Sequence, residues 1–143
     1  MASPSNDPAS RSGNASRNKE TGDHGEDLAA AYLEAQGFVV MDRNYRFERE
    51  EIDLIVWERD DLFGLGGALV FVEVKTRRGT GFGRPEAAVT PSKQAAIRRV
   101  AEAYLYERKL DSTVCRFDVV AVLLPPGRDP VIEHFRDAFG MEG

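Results

Sequence analysis

The sequence has little from which to build covalent cross-links, a membrane span or a broadly basic surface. Cys115 is the only cysteine, so an intrachain disulfide is excluded, and a lone thiol in an apolar segment is typical of a packed core residue. The longest apolar runs, residues 68–72 and 119–124, are far shorter than the roughly 18 residues that a membrane-spanning helix needs. The formal net charge of -5 argues against a general polyanion binder, because non-specific DNA binding depends on Lys and Arg neutralising phosphates.

The chain length of 143 residues fits one globular domain behind a polar N-terminal segment. Residues 1–22 are rich in Ser, Asn, Gly and Pro, which predicts a disordered tail, and they lack the apolar centre of a secretory signal. We therefore expect a cytoplasmic protein without membrane association. One domain should cover residues 23–135, followed by a C-terminal tail over residues 136–143, and it is long enough for one core of a sheet with covering helices.

Two segments have apolar residues at helical spacing, residues 25–36 and residues 92–110. Gly37 is a natural stop for the first helix, and Thr90 before Pro91 is typical of the start of the second. Asp23 and Glu26 resemble a capping box at the start of the first helix.

Apolar segments between turn-forming residues predict the strands. They cover residues 38–44, 52–57, 68–76 and 117–124, with a short last strand over 131–135. The second and third strands should pair antiparallel, and the glycine-rich residues 77–89 should form an irregular loop. This order predicts an α/β fold with a central mixed sheet flanked by helices, and it argues against a helical bundle or a β-sandwich.

Ionisable residues inside apolar strands are the most informative feature of the sequence. Asp53 lies in the second strand, while Glu73 and Lys75 lie in the third. Strands this apolar are normally covered on both faces, where an unpaired carboxylate costs several kcal/mol. If the connection turns near Phe63, Asp53 lies opposite Glu73, and Lys75 shares a face with Glu73 because side chains alternate along a strand.

Two carboxylates this close repel each other unless a proton or a cation intervenes, and such oxygen ligands suit Mg²⁺ or Mn²⁺. The metal could activate water and neutralise charge on a phosphate, while Lys75 could orient the water or stabilise negative charge. This chemistry is hydrolysis of a phosphodiester bond. The spacing alone also allows a partly exposed strand end at which Glu73 and Lys75 form an ordinary charged pair with Asp53, since Glu-x-Lys is a weak pattern.

Basic residues are concentrated between residues 75 and 99, where Glu86 is the single acidic residue. Such a cluster can be a solvated face balanced by acidic segments elsewhere. Because it adjoins the charged strands, it also yields Arg77 and Arg78 as candidate nucleic-acid-binding residues.

An ordered set of short motifs resembles the YraN family, bacterial proteins assigned to the endonuclease-like PD-(D/E)xK superfamily and similar in fold to archaeal Holliday-junction resolvases. The resemblance covers roughly residues 22–124. The matching residues are Gly25-Glu26 with Ala30, Tyr32-Leu33 and Gly37-Phe38; Arg43-Asn44; Glu51-Ile52-Asp53-Leu54-Ile55; Phe71-Val72-Glu73-Val74-Lys75-Thr76-Arg77; Lys93; and Arg116-Phe117-Asp118-Val119-Val120.

The resemblance implies a restriction-endonuclease-like core with the order α-β-β-β-α-β and a metal-dependent endodeoxyribonuclease acting on DNA, including branched DNA. It implies metal ligation by Asp53 and Glu73, catalytic assistance from Lys75 and a supporting carboxylate from Glu26, for which a helix cap is the alternative role. The chain departs from the family pattern at Glu50, where the family usually has glycine, and in a longer loop between the paired strands. Lys93 and Gln94 at the second helix are further candidate nucleic-acid-binding residues, expected to contact phosphate or to line the site, and Asp118 is expected to have a structural role.

Two other functions compete with the nuclease. A non-catalytic nucleic-acid-binding module that keeps the nuclease fold would fit the acidic composition, but it has no evident need for Asp53, Glu73 and Lys75. A purely structural interaction protein would leave these charged strand positions unexplained. The sequence leaves open whether the protein forms a homodimer.

Overall fold

The computed structural model describes residues 8–59, 66–78 and 89–141, with side chains from Thr21 onward. The helices are α1 (Pro8–Ala35) and α2 (Pro91–Glu107), and the strands are β1 (Val39–Phe47), β2 (Glu50–Glu58), β3 (Ala68–Arg77), β4 (Cys115–Leu123) and β5 (Val131–Phe139). The strands form one sheet in the order β1-β2-β3-β4-β5. β3 and β4 are parallel and the other neighbours are antiparallel, so the predicted α/β fold with a mixed sheet is confirmed.

The helices cover opposite faces of the sheet, and the core is divided between these faces. On β3, Leu69 and Phe71 pack in the cluster that includes α2, whereas Val70 and Val72 pack with α1. This alternation is the two-residue period of a strand, and it explains why β3 and β4 are apolar almost without interruption. No helix in the described part of the chain is long and apolar enough to cross a bilayer.

Helix α1 begins at Pro8, well before the predicted start at Gly25 and inside the segment predicted to be disordered. Residues 8–24 contain few apolar residues, so they lack the amphipathic period on which the prediction depended. The capping box predicted for Asp23 and Glu26 is wrong, because both residues lie within the helix. The division of the chain into tail, domain and C-terminal tail stays a prediction.

Both helices carry the terminal signals that the sequence indicated. Gly37 has a φ of 99°, and its N–H donates to the carbonyl of Glu34. The N–H of Phe38 donates to the carbonyl of Leu33. These two hydrogen bonds form the Schellman motif that ends α1. At α2 the hydroxyl of Thr90 accepts the N–H of Lys93 at 3.2 Å, with Pro91 in the first turn.

Element ends differ from the predictions where the sequence is polar. The predicted strands over residues 38–44 and 131–135 continue to Phe47 and Phe139, and α2 ends at Glu107 instead of residue 110. β1 and β5 are the two edge strands, so their outer residues need no apolar pattern. The predicted turn at Phe63 and most of the predicted loop 77–89 lie outside the described residues.

Candidate functional site

Asp53 and Glu73 lie where strands β2 and β3 stop pairing through their backbones. Leu54 opposite Val72 is the last paired position of this ladder, which places Asp53 and Glu73 at the next position along the two strands. The carboxylate of Asp53 accepts the backbone N–H of Val74 through Oδ2 at 2.7 Å. Asp53 thus satisfies a backbone N–H of β3 at a position where the β2–β3 ladder has ended. The predicted antiparallel pairing of β2 with β3 is confirmed.

The two carboxylates share a desolvated environment. Burial, followed by the charge of Glu73, raises the pKa of Asp53 to about 8, although the hydrogen bond from the N–H of Val74 acts in the opposite direction. Burial also raises the pKa of Glu73, although the nearby charges of Lys75 and Lys93 act in the opposite direction. Such a pair retains a proton at neutral pH unless a cation replaces it.

Lysines from two elements approach this carboxylate pair. Lys75 Nζ lies 3.4 Å from Glu73 Oε1, which confirms that the two residues share a face of β3. Lys93, in the first turn of α2, lies 3.4 Å from Glu50 Oε2. The site therefore contains positive charge from the strand itself and from a helix that the sequence places twenty residues later.

Helix α1 adds Glu26 through a close approach to β3. A Cβ at Gly25 would lie 1.9 Å from the hydroxyl of Thr76, so glycine is required for this approach. The amide of Asn44 donates to Glu26 at 2.8 Å and to Glu51 at 2.9 Å. Burial raises the pKa of Glu26, while this hydrogen bond opposes the shift.

Two carboxylates on adjacent strands are the kind of donor set that holds Mg²⁺, an ion that is commonly bound by one or two carboxylates and keeps several waters. The raised pKa values of Asp53 and Glu73 are consistent with this fit, because a cation would relieve the repulsion between their charged forms. Within the described ranges, no group of three or more His, Cys, Asp or Glu side chains is arranged to hold a metal.

Comparison with known proteins places this arrangement in a family. The model of the family described as "Uncharacterised protein family UPF0102" matches residues 25–122. The chain belongs to the UPF0102 family. This is the YraN family that the sequence motifs resemble, and the match covers every predicted catalytic and nucleic-acid-binding residue.

The UPF0102 relatives match over nearly their whole length. The UPF0102 protein of Rhodococcus opacus is 51% identical over 122 residues, which cover 85% of this chain and 98% of the relative. The UPF0102 protein of Geotalea daltonii is 44% identical over 124 residues, 87% of this chain and 92% of the relative. The UPF0102 protein of Geobacter sulfurreducens is 46% identical over 122 residues, which cover 85% of this chain and 90% of the relative.

Glu50, the position at which the sequence resemblance implies a departure from the family pattern, is electrostatically compensated. Its carboxylate pairs with Lys93, and both side chains are about one third exposed. The pair links the start of β2 to the start of α2. The added negative charge is therefore offset locally by a lysine that also lies within electrostatic reach of Glu73.

The predicted nucleic-acid-binding residues have different surroundings in this UPF0102 protein. Arg78 donates to the hydroxyl of Thr21 at 2.9 Å, and Arg77 extends from the exposed end of β3. Gln94 donates to the carbonyl of Val89 at 3.0 Å and accepts from Arg98 at 3.3 Å, so its amide is engaged within the start of α2. Lys93 pairs with Glu50 beside the site, and a nucleic-acid-binding role for these four residues stays a prediction.

Sequence reasoning missed Asn44 as the residue that holds Glu26. Asn44 has a φ of 52°, a left-handed conformation that asparagine tolerates better than most residues. Asn44 is the last residue of the predicted strand 38–44, and an asparagine, which is disfavoured in strands, was the available signal at that position.

A second charged network surrounds Asp118, which is fully buried in β4. It accepts from Arg116 at 2.9 Å and from the backbone N–H of Asp137 at 2.9 Å, and it lies 2.7 Å from Nε2 of His134. Burial alone would raise the pKa of Asp118, but these hydrogen bonds hold it below its usual value. The network joins β4 to β5 and contains none of the predicted site residues.

Proposed function

We propose that this UPF0102 protein is a metal-dependent nuclease that hydrolyses phosphodiester bonds in DNA. The observation that carries the proposal is the pair of desolvated carboxylates, Asp53 and Glu73, at the point where β2 and β3 separate, with Lys75 beside Glu73. Three ionisable groups at the end of an apolar strand pair are costly to maintain without a use for their charge.

Asp53 and Glu73 would hold Mg²⁺ or Mn²⁺, and Glu26 would support the site from α1. Such an ion, when bound, lowers the pKa of water and neutralises charge on a phosphate. The N–H of Val74 fixes the orientation of Asp53, and Asn44 fixes Glu26 against β2, so the carboxylates are held before a ligand arrives. Holding the oxygens in place reduces the reorganisation that binding would otherwise require.

Lys75 would act on the reacting groups. Its ammonium contacts Glu73 and its side chain is 24% exposed, so it can meet a phosphate at the rim of the site without being fully desolvated. A positive charge there can orient the attacking water or stabilise the charge that develops on the phosphate. Lys93, paired with Glu50, supplies further positive potential within electrostatic reach of Glu73.

A non-catalytic nucleic-acid-binding module is the second candidate, and one observation favours it. Charge at the site is balanced without a metal, because the raised pKa of Asp53, about 8, favours one proton on the carboxylate pair at neutral pH, and Glu73 lies beside Lys75. A site of this kind could persist after catalysis has been lost.

A cleavage assay separates the two candidates. Single-stranded, duplex, flapped and four-way DNA would be incubated with the parent protein and with Glu73→Ala, each in Mg²⁺, in Mn²⁺ and in EDTA. We expect cleavage of at least one substrate by the parent, dependent on metal and lost in the variant. DNA binding without cleavage of any substrate would reject the nuclease and leave the binding module.

A further inference from the structure

A groove with a cationic lining leads away from the candidate site along one side of α1. Its first part is a depression of about 380 Å³ beside the end of β3, lined among others by Thr21, Lys75, Thr76, Arg77 and Arg78. Its second part, about 560 Å³, is lined among others by Thr21, His24, Arg78, Leu124, Pro126 and Arg128. The two parts share Thr21 and Arg78, so they adjoin each other, and the first part is lined by Lys75, the proposed catalytic lysine.

The charge of this groove is opposite to that of the protein. Among the residues that the structure describes, its lining contains Lys75, Arg77, Arg78 and Arg128 and no Asp or Glu, although acidic residues outnumber basic ones by 24 to 19 in the whole chain. A basic groove on a protein with a net negative charge attracts a polyanion to the groove, while the acidic surface elsewhere repels it. This distribution reconciles DNA binding with the acidic composition.

Arg128 is held at the far end of the groove by a tight turn between β4 and β5. The N–H of Arg128 donates to the carbonyl of Pro125 at 3.2 Å, and Gly127 has a φ of 69°. Pro126 followed by a glycine with positive φ is typical of a type II turn, in which the backbone is rigid. Among the side chains that the structure describes, Arg128 forms no ion pair, so its guanidinium is available for a ligand.

We propose that this groove binds the sugar-phosphate backbone of a DNA strand that runs from the site toward the β4–β5 turn, with Arg78 and Arg128 as phosphate contacts. The proposal rests on the proposed function for its choice of DNA as the polyanion. Leu124, Pro126 and the imidazole of His24 would provide an apolar wall against sugars or bases. Arg78 is already oriented by its hydrogen bond to Thr21.

The test is the salt dependence of DNA binding, measured by fluorescence anisotropy in EDTA so that no cleavage can occur. Arg128→Ala and Arg128→Glu would be compared with the parent, and Arg99→Ala is the matched control because Arg99 is an exposed arginine of α2, on the other face of the sheet. The binding constant K for DNA falls as salt rises, and losing one phosphate contact should reduce the steepness of log K against log salt by about 1. The advantage of the parent over Arg128→Ala should then shrink about threefold between 50 and 200 mM salt.

We expect Arg128→Glu to weaken binding more than Arg128→Ala, and Arg99→Ala to follow the parent. Equal losses for Arg128→Ala and Arg99→Ala, an unchanged slope, or displacement of DNA by polyglutamate at equal charge concentration would overturn the groove proposal. Because the assay needs no metal, it can fail for a protein that cleaves DNA. The binding assay can also give the expected result for a protein that does not cleave DNA, and in that case only the proposed nuclease activity is rejected.

Discussion

Replacing Asp53 with asparagine should remove a pH-dependent penalty on folding. The pKa of Asp53 is about 8 in the folded protein against 3.8 for an unburied aspartate, so the folded state binds the proton more tightly than the unfolded state. Stability from this proton is fully present below pH 3.8 and is lost as the pH rises through about 8. Asparagine keeps an oxygen that can accept the N–H of Val74 and carries no charge at any pH.

The size of the effect follows from the same two values. At 1.36 kcal/mol per pH unit, ionising Asp53 fully would cost on the order of 5 kcal/mol of folding free energy. This is an upper bound, because the proton of the pair can reside on Glu73 instead. Without metal, we expect the stability of Asp53→Asn relative to the parent to increase by ~2–4 kcal/mol between pH 5 and pH 9, because only about three pH units of the shift lie in this range.

Urea unfolding in EDTA at several pH values between 5 and 9 measures this difference. Asp111→Asn, a change at an exposed aspartate in the turn after α2, is the matched control and should track the parent throughout. If Asp53→Asn also tracks the parent to within about 0.5 kcal/mol, the size expected for a surface substitution, then Asp53 does not lie in a desolvated pair with Glu73. The reasoning behind the metal site would then be refuted.

Three further predictions concern the metal and the elements that hold the site. Mg²⁺ or Mn²⁺ at ten times its Kd should stabilise the parent by about 1.4 kcal/mol in thermal unfolding, and an equal shift in Asp53→Asn/Glu73→Gln would show that the ion binds elsewhere. Gly25→Ala should destabilise the protein by about 1–3 kcal/mol through its clash with Thr76, with partial recovery in Gly25→Ala/Thr76→Ala, and no loss would refute the close approach of α1. Thr90→Ala should lower the free energy of unfolding in urea by about 1 kcal/mol through loss of the α2 cap, whereas Thr90→Ser keeps the capping hydroxyl and should keep most of that stability.

The strand pair that carries the site could be predicted from the sequence because apolar periodicity and charge position agreed there. Ionisable residues at Asp53, Glu73 and Lys75 interrupt runs that are otherwise apolar, and the length of the connection fixes which residues face each other. The contribution of Lys93 was harder to specify, because its place beside Glu73 depends on how α2 packs across the sheet.

Other features of the site had no strong local signal. The position of Asn44 depends on a left-handed backbone residue within β1, which no periodicity indicates. The capping-box pattern at Asp23 and Glu26 was misleading, because a helix of polar residues continues in front of it. The partners of Asp118 come from β5, an edge strand whose polar outer residues weaken the strand pattern.

The most direct test of a metal-dependent hydrolytic site is to measure Mn²⁺ binding and single-turnover DNA cleavage on the same preparations of the parent, Lys75→Ala and Glu73→Gln. In the proposed mechanism Lys75 acts on the water or the phosphate and is not a metal ligand, so Lys75→Ala should keep Mn²⁺ binding and lose most cleavage. Glu73→Gln should lose both. Cleavage at the parental rate in either variant, or no metal-dependent cleavage by the parent, would contradict the assignment of Asp53, Glu73 and Lys75 as a nuclease site.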